Sequence, residues 1–142
     1  FLLNNSKAGK NIQDQLKKIN DARIKEIKSK DKSFKDKEAK LIAQKNILSE
    51  QEFAKKVNEL KKEVIKSNSL RQKEMEQSNK KRNDALSKLL NEINILLIEY
   101  SEKTKISMML DKKNVIISRN ENDITKEILN LLDKKITKIK LN

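Results

Sequence analysis

Two residue types that carry much of protein chemistry are absent from this chain of 142 residues. It contains neither Cys nor His. A disulfide is therefore impossible, and no thiol or imidazole is available for nucleophilic or acid–base catalysis. Zinc sites built from nitrogen and sulfur ligands are excluded for the same reason. The carboxylates are scattered among lysines on faces expected to be solvated, where they gain no catalytic character. The sequence therefore predicts neither an enzyme nor a protein with a cofactor or metal.

Proline, glycine and long apolar runs are also scarce. There is no Pro and one Gly, Gly9, which belongs to no phosphate-binding motif. No run of about 18 apolar residues is present, so no segment is expected to span a membrane. Hydrophobic residues make up only 35% and charged residues 39%, too lean a balance for a compact globule. A disordered chain has similar composition, but here the apolar residues recur periodically. We therefore predict an extended, mainly α-helical protein with a narrow apolar stripe.

The abundant feature is positive charge. The net charge is +13, and 30 of the 34 basic residues are Lys. Residues 1–48 carry 13 basic and six acidic side chains, so the surplus is concentrated there. Acidic proteins, anionic lipid head groups and nucleic acid are all admissible partners for such a chain. A lysine-rich proteome would produce many of these residues without selection for any ligand.

Regular spacing of apolar residues predicts a first long helix. Ile27, Phe34, Leu41 and Leu48 are each seven residues apart, which is the repeat of a coiled-coil contact line. Lysines recur at the same interval on a flank expected to be solvated: Lys18, Lys25 and Lys32 form one series, and Lys28 and Lys35 another.

A second long helix and a chain reversal follow. Apolar blocks occur around Val57 and around Leu89, and residues 66–84 between them are nearly all polar, so this middle part is expected to be the loosest. Ser49 and Glu52 fit a capping box, which starts a helix by exchanging hydrogen bonds between its side chains and amides. The sequence therefore predicts an antiparallel helical hairpin over residues 5–104 with its tip at residues 48–49.

An antiparallel hairpin also predicts which residues face each other, because the numbers in each pair must add to a nearly constant total. Five apolar pairs meet this condition: Leu41 with Val57, Phe34 with Val64, Ile27 with Leu70, Ile24 with Met75, and Ile12 with Leu86.

The last part of the chain has a different pattern. Apolar runs at residues 106–110 and 115–118 flank a polar turn, which predicts a short β-hairpin buried on both faces. An isolated β-hairpin is marginally stable in water, so further strands must come from this chain or from other copies. Asn122 or Asp123 then caps a final amphipathic helix. We expect residues 105–142, with residues 1–4, to form a β-containing assembly body. Its apolar residues are Ile106, Met108, Leu110, Val115, Ile117, Ile124 and Ile128.

Three stretches together resemble the Skp/OmpH family of periplasmic chaperones. They are Asn4-Asn-Ser-Lys-Ala-Gly-Lys10, the Leu48-Ser-Glu-Gln-Glu52 tip, and Leu110-Asp111 followed by Val115 and by Asp123-Ile-Thr125. The resemblance covers nearly the whole chain and depends on the order and spacing of these stretches. Two departures are visible. The family's first β-strand is expected just before Phe1, and the segment between Leu110 and Asp123 is about one residue shorter than in better-known members.

The family resemblance implies a function. It implies a homotrimer whose β-sheet body carries three helical hairpins, enclosing unfolded outer-membrane proteins in the periplasm of a Gram-negative bacterium without nucleotide. On that basis Lys18, Lys25, Lys28, Lys32 and Lys35 are candidate client-facing residues. A start at Phe1 rather than Met suggests a processed product that has lost its signal peptide.

A basic cluster on the second helix has two readings. Lys80, Lys81 and Arg82 occupy the place where some family members have a cluster proposed to contact lipopolysaccharide, and an anionic lipid is a related candidate. The ordinary alternative, which we favour, is a solvated triplet on an already basic helix.

Two other classes of function remain open from sequence. A basic coiled-coil nucleic-acid binder is admissible, but three Phe and one Tyr provide no stacking platform, so no specific nucleic acid is expected. A structural stalk protein would be expected to lack the chain reversal and the terminal strands.

Overall fold

The computed structural model describes residues 1–141, and it is mainly helical as predicted. Helix α1 spans Leu2–Asn5, α2 Lys7–Ala43, α3 Glu50–Thr104 and α4 Thr125–Lys135. Short 3-10 helices cover Lys112–Asn114 and Asn120–Asn122.

The chain forms two compact units. Unit 1 contains Phe1–Leu16 and the described residues from Lys80 onward, and unit 2 contains Lys17–Asn79. The division expected from sequence, a hairpin over residues 5–104 and a body over 105–142 with 1–4, has different boundaries and stays a prediction.

Unit 2 contains the reversal between α2 and α3. The Ser49 amide donates to Glu52 Oε2 at 3.2 Å, and the Glu52 amide donates to Ser49 Oγ at 3.3 Å. Ser49 Oγ also donates to the Glu52 carboxylate at 2.8 Å. The hydrogen bonds from the Ser49 hydroxyl and amide lower the pKa of Glu52. The capping box read from the sequence is confirmed, and it satisfies amides that would otherwise be unpaired at the start of α3.

The two helices of unit 2 pack antiparallel with a thin apolar contact. Half-buried residues on α2 include Ile27, Phe34 and Leu41, and half-buried residues on α3 include Val57 and Val64. Polar contacts join the same helices. Lys37 pairs with Glu63, Arg71 pairs with Asp31, and Arg23 Nη2 donates to the Glu74 carbonyl at 3.0 Å.

The contact line on α3 becomes polar after Val64. Ser67 and Ser78 are buried, and Arg71 is half-buried. Leu70 and Met75 are exposed, as is Ile24 on α2. The predicted pair of Ile24 with Met75 is therefore not buried, whereas Ile27 and Leu70 line the same small cavity although Leu70 is 45% exposed. Helical spacing of three and four residues continues the contact line from Val64 to Ser67 and Arg71.

Unit 1 contains the buried apolar cluster. Ile12 of α2, Leu89 of α3, and Ile128 and Leu132 of α4 are almost completely inaccessible to solvent. Ala8, Ala85, Ile93, Leu96 and Ile139 complete the cluster. The predicted apolar face of the final helix is thus present. At the N-terminal side, the Gly9 amide donates to the buried Ser6 hydroxyl at 3.1 Å, so Ser6 caps α2.

The predicted β-hairpin is not formed within this single chain. No β-strand occurs among residues 1–141, and the turn residues form the 3-10 helix Lys112–Asn114. Met108, Leu110 and Ile117, which were expected to be buried, are 73%, 65% and 89% exposed. Residues 1–4, which were expected to belong to the assembly body, lie mostly in α1 and share unit 1 with the last part of the described chain. Two short strands without neighbours bury too little surface to pair stably, which accounts for the difference.

Gly9 provides a direct test of the packing in unit 1. A Cβ at this position would lie 1.8 Å from the Leu3 carbonyl oxygen, an overlap with backbone that no rotamer relieves. We expect Gly9→Ala to lower the free energy of unfolding by roughly 1–3 kcal/mol, despite the higher helix propensity of Ala. Urea unfolding followed by circular dichroism measures the change. Lys10→Ala, at an exposed neighbouring site, should shift it by less than about 0.5 kcal/mol. Equal effects of the two substitutions would contradict this account.

Candidate functional site

A face of exposed lysines runs along α2 in unit 2. Lys18, Lys25, Lys28, Lys32 and Lys35 are all exposed. At 100° per residue they fall within an arc of about 100°, on the side of the helix away from Ile27 and Phe34. The structure thus places the five candidate client-facing residues on one face, which we call the lysine face.

The lysine face carries a net positive charge. Asp21 and Asp36 lie within the same arc of α2, so they reduce that charge without cancelling it. Neighbouring basic residues are paired, Lys30 with Glu26 and Lys37 with Glu63. The ion pairs found within residues 1–141 include none of the five lysines of the face. Because exposed ammonium groups remain hydrated and mobile, they can meet carboxylates of a partner at many different spacings.

The second basic cluster lies on α3 in unit 1. Lys80, Lys81 and Arg82 are exposed, and they too take part in none of the ion pairs found in the described residues. Nothing in their burial distinguishes an anion contact from a solvated triplet, so the lipopolysaccharide contact stays a prediction.

An exposed apolar surface lies in the segment after α3. Met108, Leu110, Ile116 and Ile117 are all largely accessible to solvent, whereas Ile106 and Val115 are half-buried. Several exposed apolar side chains in one short segment indicate an interaction site. Of the other residues assigned to the assembly body, Ile124 is half-buried and Ile128 is in the core.

Charged contacts hold this segment against the start of α4. Lys112 pairs with Asp123, and Asp123 Oδ1 accepts a hydrogen bond from the Thr125 amide at 3.1 Å. The Lys112 ammonium, followed by the Thr125 contacts, holds the pKa of Asp123 far below its ordinary value of 3.8. The N-cap position of α4 is Ile124, which makes no side-chain capping bond, so the predicted cap at Asn122 or Asp123 is wrong in position. Asp123, one residue earlier, still satisfies the Thr125 amide.

Sequence reasoning missed the polar contacts that fasten the other elements of unit 1. The Lys7 amide donates to Asp133 Oδ1 at 2.7 Å, and the Tyr100 hydroxyl donates to Glu127 at 2.8 Å. That bond to a carboxylate raises the pKa of Tyr100. The Gln15 amide contacts the backbone of Ile139 and Leu141. These contacts join residues far apart in the chain, so no local spacing could have indicated them.

Neither a metal-binding cluster nor a membrane-spanning helix is present in the described part of the chain. Residues 1–141 bring together no group of three or more acidic side chains suited to bind a metal ion. Over the same range, every helix is too short or too polar to cross a bilayer.

The comparisons with known proteins define first a class and then a family. The fold is similar to the crystal structure of a protein from Caulobacter crescentus CB15, provisionally described as an OmpH-like outer membrane chaperone. The TM-score is 0.91 at 20% sequence identity, covering 98% of this chain and 82% of that one. The family model described as outer membrane protein (OmpH-like) matches residues 1–132. The chain therefore belongs to the Skp/OmpH family of outer membrane chaperones. No curated protein sequence matches it.

The contacts of Asp123 predict a dependence of stability on acid. Because the folded pKa is lowered, the stability that Asp123 contributes is complete above its unfolded pKa of 3.8 and is lost as pH falls below that value. We expect the melting temperature of the natural chain to fall progressively from about pH 4 to about pH 2, toward the lowered folded pKa of Asp123. In Asp123→Asn part of that fall should be missing, because the variant already lacks the ion pair at neutral pH.

The control for this measurement is Asp84→Asn, which removes the same charge from an exposed residue outside the ion pairs found in the described chain. It should reproduce the natural pH profile. Identical profiles for Asp123→Asn and the natural chain would refute the role given to Asp123.

Proposed function

We propose that this chain is an ATP-independent holdase of the periplasm that binds unfolded outer-membrane proteins and prevents their aggregation. The observation that carries the proposal is the net-positive lysine face on a thinly packed helical hairpin. Family membership supports a chaperone role, and the residues provide no group for an enzymatic step. Client proteins bind through charge attraction and weak apolar contact, and their release requires no ATP hydrolysis.

The lysine face is suited to unfolded clients because its interactions are weak one by one. An exposed ion pair contributes about 0–1 kcal/mol, so no single contact holds the client. Several such contacts together retain a chain while leaving each of them free to exchange. A groove near the reversal adds apolar surface, since Leu41 and Leu60 line it beside Lys37, Lys40 and Lys56.

The proposed assembly is a homotrimer in which the β-sheet forms between copies. The apolar residues at 106–110 and 115–118 support this proposal, because these segments form no strand within the described chain and expose several apolar side chains. Strand-forming segments without a partner pair readily with another chain. Three copies would then enclose the client between their helical hairpins. Lys80, Lys81 and Arg82 are proposed as a secondary contact for anionic lipid or lipopolysaccharide.

Neutralising the lysine face tests client binding. We expect the fivefold variant with Gln at positions 18, 25, 28, 32 and 35 to bind an unfolded, acidic outer-membrane protein at least tenfold more weakly, a loss of about 1.4 kcal/mol. Fluorescence anisotropy of the labelled client measures affinity, and light scattering after dilution from urea measures aggregation. Salt should weaken binding by the natural chain more than binding by the variant, because the screened charges are those removed.

A matched control replaces five lysines of α3 in unit 2, Lys55, Lys61, Lys62, Lys66 and Lys73, by Gln. It has the same net charge but an intact lysine face, and it should lose much less affinity. Equal losses in the two variants would mean that net charge alone acts. Failure of the natural chain to suppress aggregation at stoichiometric amounts would refute the holdase proposal.

Solution mass tests the assembly. Light scattering should give three times the chain mass of 16.6 kDa. Ile117→Asp should shift the mass toward one chain, because a charge would then lie in the proposed sheet. Ile24→Asp, on an exposed residue of unit 2, is the control and should leave the mass unchanged. A single-chain mass for the natural chain would refute the trimer.

A further inference from the structure

The described residues after α4 lie in a groove of unit 1. Residues 136–141, which we call the C-terminal segment, form neither helix nor strand; the backbone is extended at Ile136 and bends at Thr137. Ile139 is 7% exposed and belongs to the buried cluster with Ile12, Ile128 and Leu132, and Ile136 and Leu141 pack against that cluster. Lys138 and Lys140 are exposed. From Lys138 to Leu141 the segment thus alternates lysines facing solvent with apolar residues facing the groove, as a strand does.

The groove holds the backbone of this segment through one side chain. Gln15 Nε2 donates to the Ile139 carbonyl at 2.7 Å, and Gln15 Oε1 accepts from the Leu141 amide at 3.3 Å. In a parallel β-pair, the amide of one residue likewise donates to the carbonyl of the residue before its partner. The carbonyl of the same residue accepts from the amide of the residue after that partner. The Gln15 amide therefore replaces a neighbouring strand, with Lys140 as its partner residue.

The Gln15 amide is held in place independently of the segment. Its Nε2 also donates to Asn11 Oδ1 at 2.8 Å, one helical turn earlier on α2. This second bond fixes which end of the amide presents the donor. A fixed donor and acceptor that contact backbone alone do not distinguish between sequences, and the apolar cluster requires only one apolar residue at the position of Ile139.

We propose that this groove is a binding site for extended peptide, occupied in this structure by the C-terminal segment, and that a segment of a client can take its place. This inference rests on the proposed function, because the residue pattern of the C-terminal segment resembles that of the proposed clients. Transmembrane β-strands of outer-membrane proteins alternate apolar and polar residues, as the C-terminal segment does. The family match ends at residue 132, before this segment.

The occupant is held lightly enough to be exchanged. Ile139 is the one buried side chain of the C-terminal segment. Within the described residues, the backbone of the segment makes one hydrogen bond besides those to Gln15, from the Ile136 amide to the Leu132 carbonyl at 2.8 Å. A competing segment with two or three apolar residues in alternation would replace these contacts one for one.

The test uses the full chain and a labelled synthetic peptide with the sequence of residues 134–142. Ile139→Asp should release the chain's own segment and leave the groove intact, which hydrogen exchange of residues 136–141 verifies. We expect this variant to bind the peptide at least tenfold more tightly than the natural chain does. The double variant Gln15→Ala, Ile139→Asp should lose that gain, because the backbone contact is removed.

Control variants and peptides distinguish binding in the groove from nonspecific binding of the peptide. Lys138→Ala, which changes an exposed residue of the segment, should behave as the natural chain. A peptide carrying Asp in place of its central Ile should not bind, and an unlabelled Val-Thr alternating peptide should compete. If Ile139→Asp reduces the helical signal in circular dichroism, Ile139→Ala takes its place. Equal binding by the single and double variants, or no binding by a chain whose segment is shown to be released, overturns the inference.

The inference and the proposed function fail in different ways. Loss of peptide binding with intact suppression of client aggregation would refute the groove and leave the holdase in place. Peptide binding without aggregation suppression would refute the holdase, and with it the assignment of the competing segment to a client.

Discussion

The packing of Ile12, Leu89, Ile128 and Leu132 is the constraint on which unit 1 depends. These side chains come from three helices and are the most completely buried large apolar residues of the described chain. Burial of each contributes about 1.5–3 kcal/mol, and no other part of the described chain concentrates as much. The contacts of Ser6, Asp133 and Gln15 surround this cluster and fix the ends of the chain against it. The site for extended peptide exists because the same cluster has room for Ile139.

Unit 2 follows a different physical solution. Its helices share half-buried residues such as Phe34 and Val64 and then a polar line through Ser67 and Arg71. Buried or half-buried polar side chains add specificity of pairing more than stability. A hairpin built in this way opens locally at low cost, since few apolar contacts must be broken. Such a surface can adapt to clients that have no fixed shape.

Helix type, chain reversal and capping could be predicted because they depend on neighbours in sequence. The seven-residue spacing of Ile27, Phe34 and Leu41 and the Ser49 capping box required no knowledge of tertiary contacts. Ile24 and Met75 are exposed although their residue numbers fit the pairing. The constant sum of paired residue numbers fixes how two helices are aligned lengthwise, but it does not fix how each helix is rotated about its axis. Arg71 occupies the contact line although its charge suggests a solvated face.

The remaining differences depend on contacts distant in sequence. Gly9 looks like an ordinary glycine near a helix start until the Leu3 carbonyl is seen against it. The Gln15 amide carries no signal in the sequence, because glutamines on helices are common and its partner is the backbone of Ile139. The apolar runs at 106–110 and 115–118 were read as strands from composition, but strands also need neighbours to pair with. A single chain does not supply them.

The spacing of the lysine face sets how a partner senses its charges. From Lys25 to Lys35 its lysines are three or four residues apart, an advance of about 4.5–6 Å along the helix axis. The Debye length in physiological salt is about 8 Å, so each of these ammonium groups lies within the electrostatic range of the next. This part of the face therefore presents a continuous band of positive potential instead of a row of separate charges. A client segment can move along the band without being held at one position.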